Sequence, residues 1–66
     1  MTIDLNGTPH EIAPGTTVGE LIRAVTGANR GSAAVVAGEV VPRSEWDTTT
    51  ITAGQDVEIV TAVQGG

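Results

Sequence analysis

The chain has 66 residues, enough for one small domain whose folding buries only about 60% of the surface that the unfolded chain exposes. Cysteine is absent and His10 is the only histidine, which excludes disulfides and a structural zinc site, since such a site takes about four Cys or His ligands. The net charge is −5, with three arginines, no lysine and one aromatic residue, so nucleic-acid binding through phosphate neutralisation and base stacking is not expected.

No membrane or targeting segment is predicted. The first fifteen residues have neither a basic start nor the apolar run of a signal peptide. The longest unbroken apolar stretch, Ala33–Ala37, is far too short to span a bilayer. The composition therefore predicts a soluble, cytoplasmic protein without a membrane partner, stabilised by an aliphatic core.

A β-hairpin is predicted at the start of the chain. Residues 1–6 alternate, with Ile3 and Leu5 on one face, and Asn6-Gly7 is the two-residue turn most favoured in hairpins. The return strand is expected over residues 8–13, with Ile12 pointing inward and His10 on the same side.

A helix is predicted next. Thr17-Val-Gly-Glu20 fits a capping box, and an apolar stripe follows at helical spacing. Gly27 is placed to end the helix, and residues 28–31 are expected to form a loop. The stripe consists of Val18, Leu21, Ile22 and Val25.

Three further strands complete the prediction. Residues 32–37 hardly alternate, which predicts a strand buried on both faces, and Gly38-Glu39 turns the chain into a short extended piece at Val40-Val41. Residues 43–50 are expected to be irregular. The last strand, 57–63, has apolar residues on both faces and is predicted to lie inside the sheet. One amphipathic helix covering a single mixed sheet gives an α+β fold.

Conventional catalytic groups are not recognisable. His10 has no assignable base or orienting partner and is expected to be a packed or edge residue. Thr48, Thr49 and Thr50 suit a strand environment, and none has an identifiable activating base. We therefore expect no catalytic residue, no bound metal and no cofactor on this chain.

The remaining candidate is the C-terminal segment. Gly65-Gly66 follows the last strand almost directly, and residues 64–66 can extend about 10 Å beyond it. Glycines lack Cβ atoms, so Gln64, Gly65 and Gly66 form a slender tail that a narrow channel in a partner could accept. The sequence thus predicts a domain over residues 1–63 and a flexible tail over 64–66. The free carboxylate is inert until a partner activates it.

The whole chain resembles the β-grasp, ubiquitin-like sulfur carriers, and most closely those of thiamin biosynthesis. The similarity rests on "LNG" at 5–7, "TVGELI" at 17–22, "GEVVPRSEW" at 38–46 and "AGQDVEIVTAVQGG" at 53–66. One departure is Ala37 before Gly38, where relatives often have Asn-Gly. Because alanine accepts positive φ poorly, this turn is expected to differ in type.

The resemblance implies a sulfur-carrier mechanism centred on Gly66. A ubiquitin-activating-type adenylyltransferase would use ATP and Mg to adenylate the Gly66 carboxylate. Sulfur from a persulfide donor, fed by a cysteine desulfurase, would then give a thiocarboxylate. This group would deliver sulfur to thiazole synthase, so the chain would be a co-substrate and not an enzyme.

Docking is expected on the sheet face away from the helix, where β-grasp carriers typically meet their enzymes. Val60 and Ala62 are the apolar residues predicted there, beside Glu58, although scattered surface apolar residues are also common. Trp46 is expected in the core or covering an edge, and Arg43 in solvent.

Two alternatives remain open from the sequence. The carrier could serve another pathway, for molybdopterin, cysteine or tRNA thiolation. The chain could instead be a non-covalent ubiquitin-fold interaction module whose tail is idle.

Overall fold

The five strands and one helix follow the predicted order in the computed structural model, which describes residues 1–26 and 31–61. A single 3₁₀ turn, Arg43–Glu45, lies in the segment predicted to be irregular. The elements are β1 (Thr2–Leu5), β2 (Thr8–Glu11), α1 (Val18–Thr26), β3 (Ser32–Val36), β4 (Glu39–Val41) and β5 (Asp56–Thr61).

The strands form one mixed sheet in the order β2-β1-β5-β3-β4. β1 and β5 are parallel, and the other neighbouring pairs are antiparallel. The predicted α+β class and the interior position of β5 are therefore confirmed. No helix in the described part of the chain is long and apolar enough to cross a membrane.

Both hairpins use the same turn. Asn6 and Gly7 have φ of +52° and +83°, and Ala37 and Gly38 have the same two values. Positive φ at both central residues is the type I′ geometry that matches the twist of paired strands. The prediction that the Ala37-Gly38 turn would differ in type is wrong, because pairing of β3 with β4 imposes the type I′ conformation in spite of the alanine.

The predicted capping box opens α1. The Glu20 carboxylate accepts a hydrogen bond from the Thr17 backbone N–H at 2.9 Å, and the Thr17 hydroxyl accepts one from the Glu20 N–H at 3.2 Å. The other two N–H groups of the first turn bind carbonyls of the segment before β5. The Val18 N–H donates to the Thr49 carbonyl at 2.9 Å, and the Gly19 N–H donates to the Trp46 carbonyl at 3.0 Å. The segment around Trp46 thus fixes the start of the helix. The predicted end at Gly27 lies outside the described residues.

The core lies between α1 and one face of the sheet. Trp46 is 4% exposed and its indole N–H donates to the Val41 carbonyl at 2.9 Å, which confirms its predicted core position. The buried apolar residues are Ile3, Val18, Leu21, Ile22, Ala34, Val36, Trp46, Ile51, Val57 and Ile59.

Two burial predictions are wrong. β3 is not buried on both faces, because the single helix covers only one: Ala34 and Val36 are buried, Ala33 is exposed and Val35 is half-buried. Val25, predicted on the apolar stripe of α1, is 43% exposed.

Candidate functional site

β5, the strand that leads to the C-terminal tail, is held on both sides. Asp56 and Val57 pair with β1, and five residue pairs, from Val36↔Val57 to Ser32↔Thr61, join β5 to β3. The strand prediction is confirmed for residues 57–61. Ala62 and the tail residues Gln64, Gly65 and Gly66 lie outside the described residues, so their predicted roles stay predictions.

The sheet face opposite the helix carries an apolar strip next to the end of β5. Val60 is 57% exposed and lies opposite Ala33, while Val40 is 70% exposed and lies opposite Val35. Paired residues point to the same face, and they alternate with residues of the core face. We call these four residues, Ala33, Val35, Val40 and Val60, the apolar strip.

The other half of this face is acidic. Asp4 lies beside Asp56 across the β1–β5 pair, and Glu58, opposite Val35, lies at the boundary with the apolar strip. Glu11, opposite Thr2, extends the acidic half to the edge strand. We call Asp4, Glu11, Asp56 and Glu58 the acidic half.

The Glu11 carboxylate is stabilised in its charged form. A hydrogen bond from the Thr2 hydroxyl, followed by the N-terminal ammonium of Met1, holds the pKa of Glu11 below its ordinary value. Glu11 therefore keeps its negative charge to a lower pH than an isolated glutamate would.

The arginines of the described residues do not neutralise this face. Arg23 lies on α1, 3.5 Å from the Asp47 carboxylate, and Arg43 lies over the Trp46 ring at 5.9 Å from its centroid. Both are exposed, which confirms the prediction for Arg43. A complementary surface would therefore be apolar and carry basic groups at one side.

The body of the protein brings no catalytic constellation together in the residues described. His10 is exposed on β2, the edge strand, which confirms its predicted edge position. The Thr48 hydroxyl donates to the Glu45 carbonyl at 3.2 Å, which is a local turn contact. Within residues 1–26 and 31–61, no group of three or more His, Cys, Asp or Glu side chains is placed to hold a metal ion.

Asn6 is a residue that the sequence prediction assigned only to the turn. Its side chain also contacts the backbone of Ile59 on β5 through two hydrogen bonds. This contact borders an open groove lined by Asp4, Asn6, Gly7 and residues 56–61. The Asn-Gly pair did not predict the contact between Asn6 and Ile59, because a hairpin turn is sufficient to explain both residues.

The similarity of this chain to known proteins extends over nearly its whole length. The family model described as the ThiS family matches residues 3–66. The crystal structure of a thiamine biosynthesis protein (ThiS) from Geobacter metallireducens is similar, with 32% identity, a TM-score of 0.82 and complete coverage of both chains. The NMR solution structure of a thiamine biosynthesis protein from the same organism has 30% identity and a TM-score of 0.82, and the match covers 100% of this chain and 88% of that one. The search of curated proteins gave no significant match.

Proposed function

Because this chain belongs to the ThiS family, we propose that it is the sulfur carrier of thiamin biosynthesis and acts as a co-substrate of other enzymes. The family membership confirms the resemblance to β-grasp sulfur carriers found in the sequence, and the 32% identical solved structure supports the same fold. The observation that carries the proposal is the family match, which continues to Gly66 and so includes the Gly-Gly segment.

The proposed reactive group is the Gly66 carboxylate. Its oxygen attacks the α-phosphorus of MgATP in the active site of the activating partner, which releases pyrophosphate and leaves an acyl adenylate. A persulfide sulfur then attacks the carbonyl carbon and expels AMP. A second thiol then attacks the donor's sulfur in this acyl disulfide, forms a new disulfide with it and releases the thiocarboxylate on Gly66. ATP, Mg and every catalytic group in these steps belong to the partners.

The fold supports this role by anchoring the strand before the tail. β5 is paired on both sides, and the five residues from Ala62 to Gly66 can span at most about 17 Å beyond Thr61. A segment of that length, the tail and the two residues before it, reaches a recessed active site while the domain stays on the partner's surface. Gly65 and Gly66 allow close approach of the partner's backbone.

We also propose that partners dock on the sheet face away from the helix. Val60 and Glu58 are exposed there, at the meeting point of the apolar strip and the acidic half. Ala62 is proposed to extend the same face toward the tail. The proposed partners are a ubiquitin-activating-type adenylyltransferase, thiazole synthase and a cysteine desulfurase system that supplies the persulfide.

Intact-mass spectrometry tests the chemistry. The protein is incubated with the adenylyltransferase of its own organism, MgATP and a persulfide source. The expected result is a mass increase equal to replacing one oxygen by sulfur, localised to Gly66 by fragmentation. The matched control lacks Gly66, and we expect it to keep the native fold and show no increase.

Two outcomes would contradict the proposal. An unchanged mass with an activating enzyme that turns over its own carrier would exclude thiocarboxylate formation. Full function of the protein without Gly66 would instead identify a non-covalent interaction module. The pathway is tested separately by adding the thiocarboxylate form to thiazole synthase and measuring thiazole formation.

A further inference from the structure

Asn6 binds β5 through both its backbone and its side chain. The Asn6 N–H donates to the Val57 carbonyl at 2.9 Å. The side-chain Oδ1 accepts a hydrogen bond from the Ile59 N–H at 2.9 Å, and Nδ2 donates to the Ile59 carbonyl at 3.3 Å. We call the two side-chain bonds to Ile59 the Asn6 clip.

The clip takes the place of a missing strand residue. β1 ends at Leu5, where the chain turns away, but β5 continues four residues past Val57, the partner of Leu5. A carboxamide has one acceptor and donors like a peptide group, so the Asn6 side chain pairs with Ile59 as the next peptide of β1 would. With the clip, β5 is hydrogen-bonded to neighbours on both sides as far as Ile59, whereas the pairing with β1 alone ends at Val57.

The position of the clip relates it to the proposed function. Ile59 directly precedes Val60 of the apolar strip, and the described part of β5 ends two residues after Ile59. In the absence of the clip, the pairing described for residues 59–61 is with β3 alone. Strand ends with fewer hydrogen bonds open locally at lower free energy than the rest of a fold.

We propose that Asn6 is a positioning residue for the C-terminal tail. By keeping the end of β5 ordered, the clip holds Val60 and Thr61, the last described residues before the tail, in one arrangement before a partner binds. This inference rests on the proposed function. Loss of this order reduces the fraction of binding-competent molecules and so raises KM for activation, whereas kcat is unchanged once the tail is bound.

Asn6→Gly removes the clip and preserves the turn, because glycine accepts the φ of +52° observed at this position. The matched control is Ala37→Gly, which creates the same Gly-Gly turn in the other hairpin and removes no side-chain hydrogen bond. We expect amide hydrogen exchange at Ile59 to become about tenfold faster in Asn6→Gly, because the Ile59 N–H loses its acceptor at a strand end. Exchange at Leu21 and Ile22 in the helix should be unchanged after correction for any change in global stability.

Steady-state kinetics with the adenylyltransferase then separate positioning from stability. We expect KM for the Asn6→Gly carrier to rise about three- to tenfold with kcat unchanged, and both constants for Ala37→Gly to equal those of the wild type. A merely structural role would lower the melting temperature and leave KM unchanged at temperatures where the protein is fully folded.

Asn6→Asp tests whether the hydrogen-bond pattern itself is required. At neutral pH the introduced carboxylate lacks the donor for the Ile59 carbonyl, so protection of Ile59 should be lost. A protonated carboxyl restores one donor and one acceptor, so protection should return below about pH 4, whereas Asn6→Gly should show no recovery. Wild-type protein at each pH controls for Asp4, Asp56 and Glu58, the carboxylates that line the same groove.

The outcomes distinguish the two hypotheses. If wild-type protein is activated normally and Asn6→Gly has wild-type KM or wild-type exchange at Ile59, the positioning role is wrong and the carrier function stands. If wild-type protein is not activated at all, the carrier function fails, and the positioning role fails with it.

Discussion

Asn6 and Ala37 have the same φ, +52°, at the first central position of two type I′ turns. Asparagine is one of the few residues with a Cβ that tolerate this region, whereas for alanine the steric conflict between Cβ and the carbonyl oxygen costs roughly 1 kcal/mol. Ala37 is exposed and its side chain is a methyl group, so no side-chain hydrogen bond offsets this cost. The β3–β4 hairpin is therefore formed against the preference of one of its residues.

Ala37→Asn should stabilise the protein by about 0.5 to 1 kcal/mol, because asparagine adopts positive φ at lower cost. Urea unfolding monitored by Trp46 fluorescence measures the change. The matched control is Ala53→Asn, since Ala53 also precedes a glycine and is exposed, but has no positive φ. An equal gain from both substitutions would show that the effect comes from asparagine on the surface and not from the turn.

Of the two roles of Asn6, the turn could be predicted from the local sequence and the contact to Ile59 could not. The Asn-Gly pair predicts the turn because both residues contribute to it locally. The clip joins positions 53 residues apart, and the hydrogen bond depends on β1 ending one residue before Asn6 while β5 continues. Strand register and relative strand length are properties of the assembled sheet, so the contact to Ile59 could not be predicted.

At the scale of secondary-structure elements, only some of the hydrogen bonds that cap the first turn of α1 could be predicted from the sequence. The capping box follows from Thr17 and Glu20, three residues apart, and the structure confirms it. The carbonyls of Thr49 and Trp46 complete the capping from a segment that the sequence predicted only as irregular. Its position is set by burial of Trp46, which local periodicity does not show.

Thr17→Ala should destabilise the protein by about 1 kcal/mol, because the Glu20 N–H loses its acceptor and the capping box is broken. Thr17→Ser is the matched control that keeps the hydroxyl, and we expect it to retain most of the stability. Urea unfolding of the three proteins measures both values. Equal destabilisation by alanine and serine would mean that Thr17 acts through its methyl group and not through the cap.

At the scale of the whole molecule, one helix determines which apolar residues are buried. α1 covers one face of the sheet, so the alternate residues of β3, β4 and β5 remain on the other face although several are apolar. The sequence pattern of β3 therefore predicted burial on both faces, whereas the structure exposes Ala33. Val40 and Val60 are exposed on the same face, and Val60 was predicted to lie there. Burial on the second face would require a partner, which fits the proposed docking role.

Val60→Asp tests that role. An aspartate in the middle of the apolar strip would have to be desolvated in a complex and would add negative charge next to Glu58. We expect kcat/KM for adenylation to fall about tenfold or more, mainly through KM, because truncation or charge at a central contact typically costs above 1 kcal/mol of binding. The melting temperature should change little, since Val60 is 57% exposed in the free protein.

Val25→Asp is the matched control for this experiment. Val25 is 43% exposed on α1, so the same chemical change is made on the opposite layer of the domain. Activation kinetics should then match the wild type if partners bind only the sheet face. Equal losses from both substitutions would indicate a general effect of charge or stability. A wild-type kcat/KM for Val60→Asp would exclude the apolar strip as the docking site and leave recognition to the tail and other surfaces.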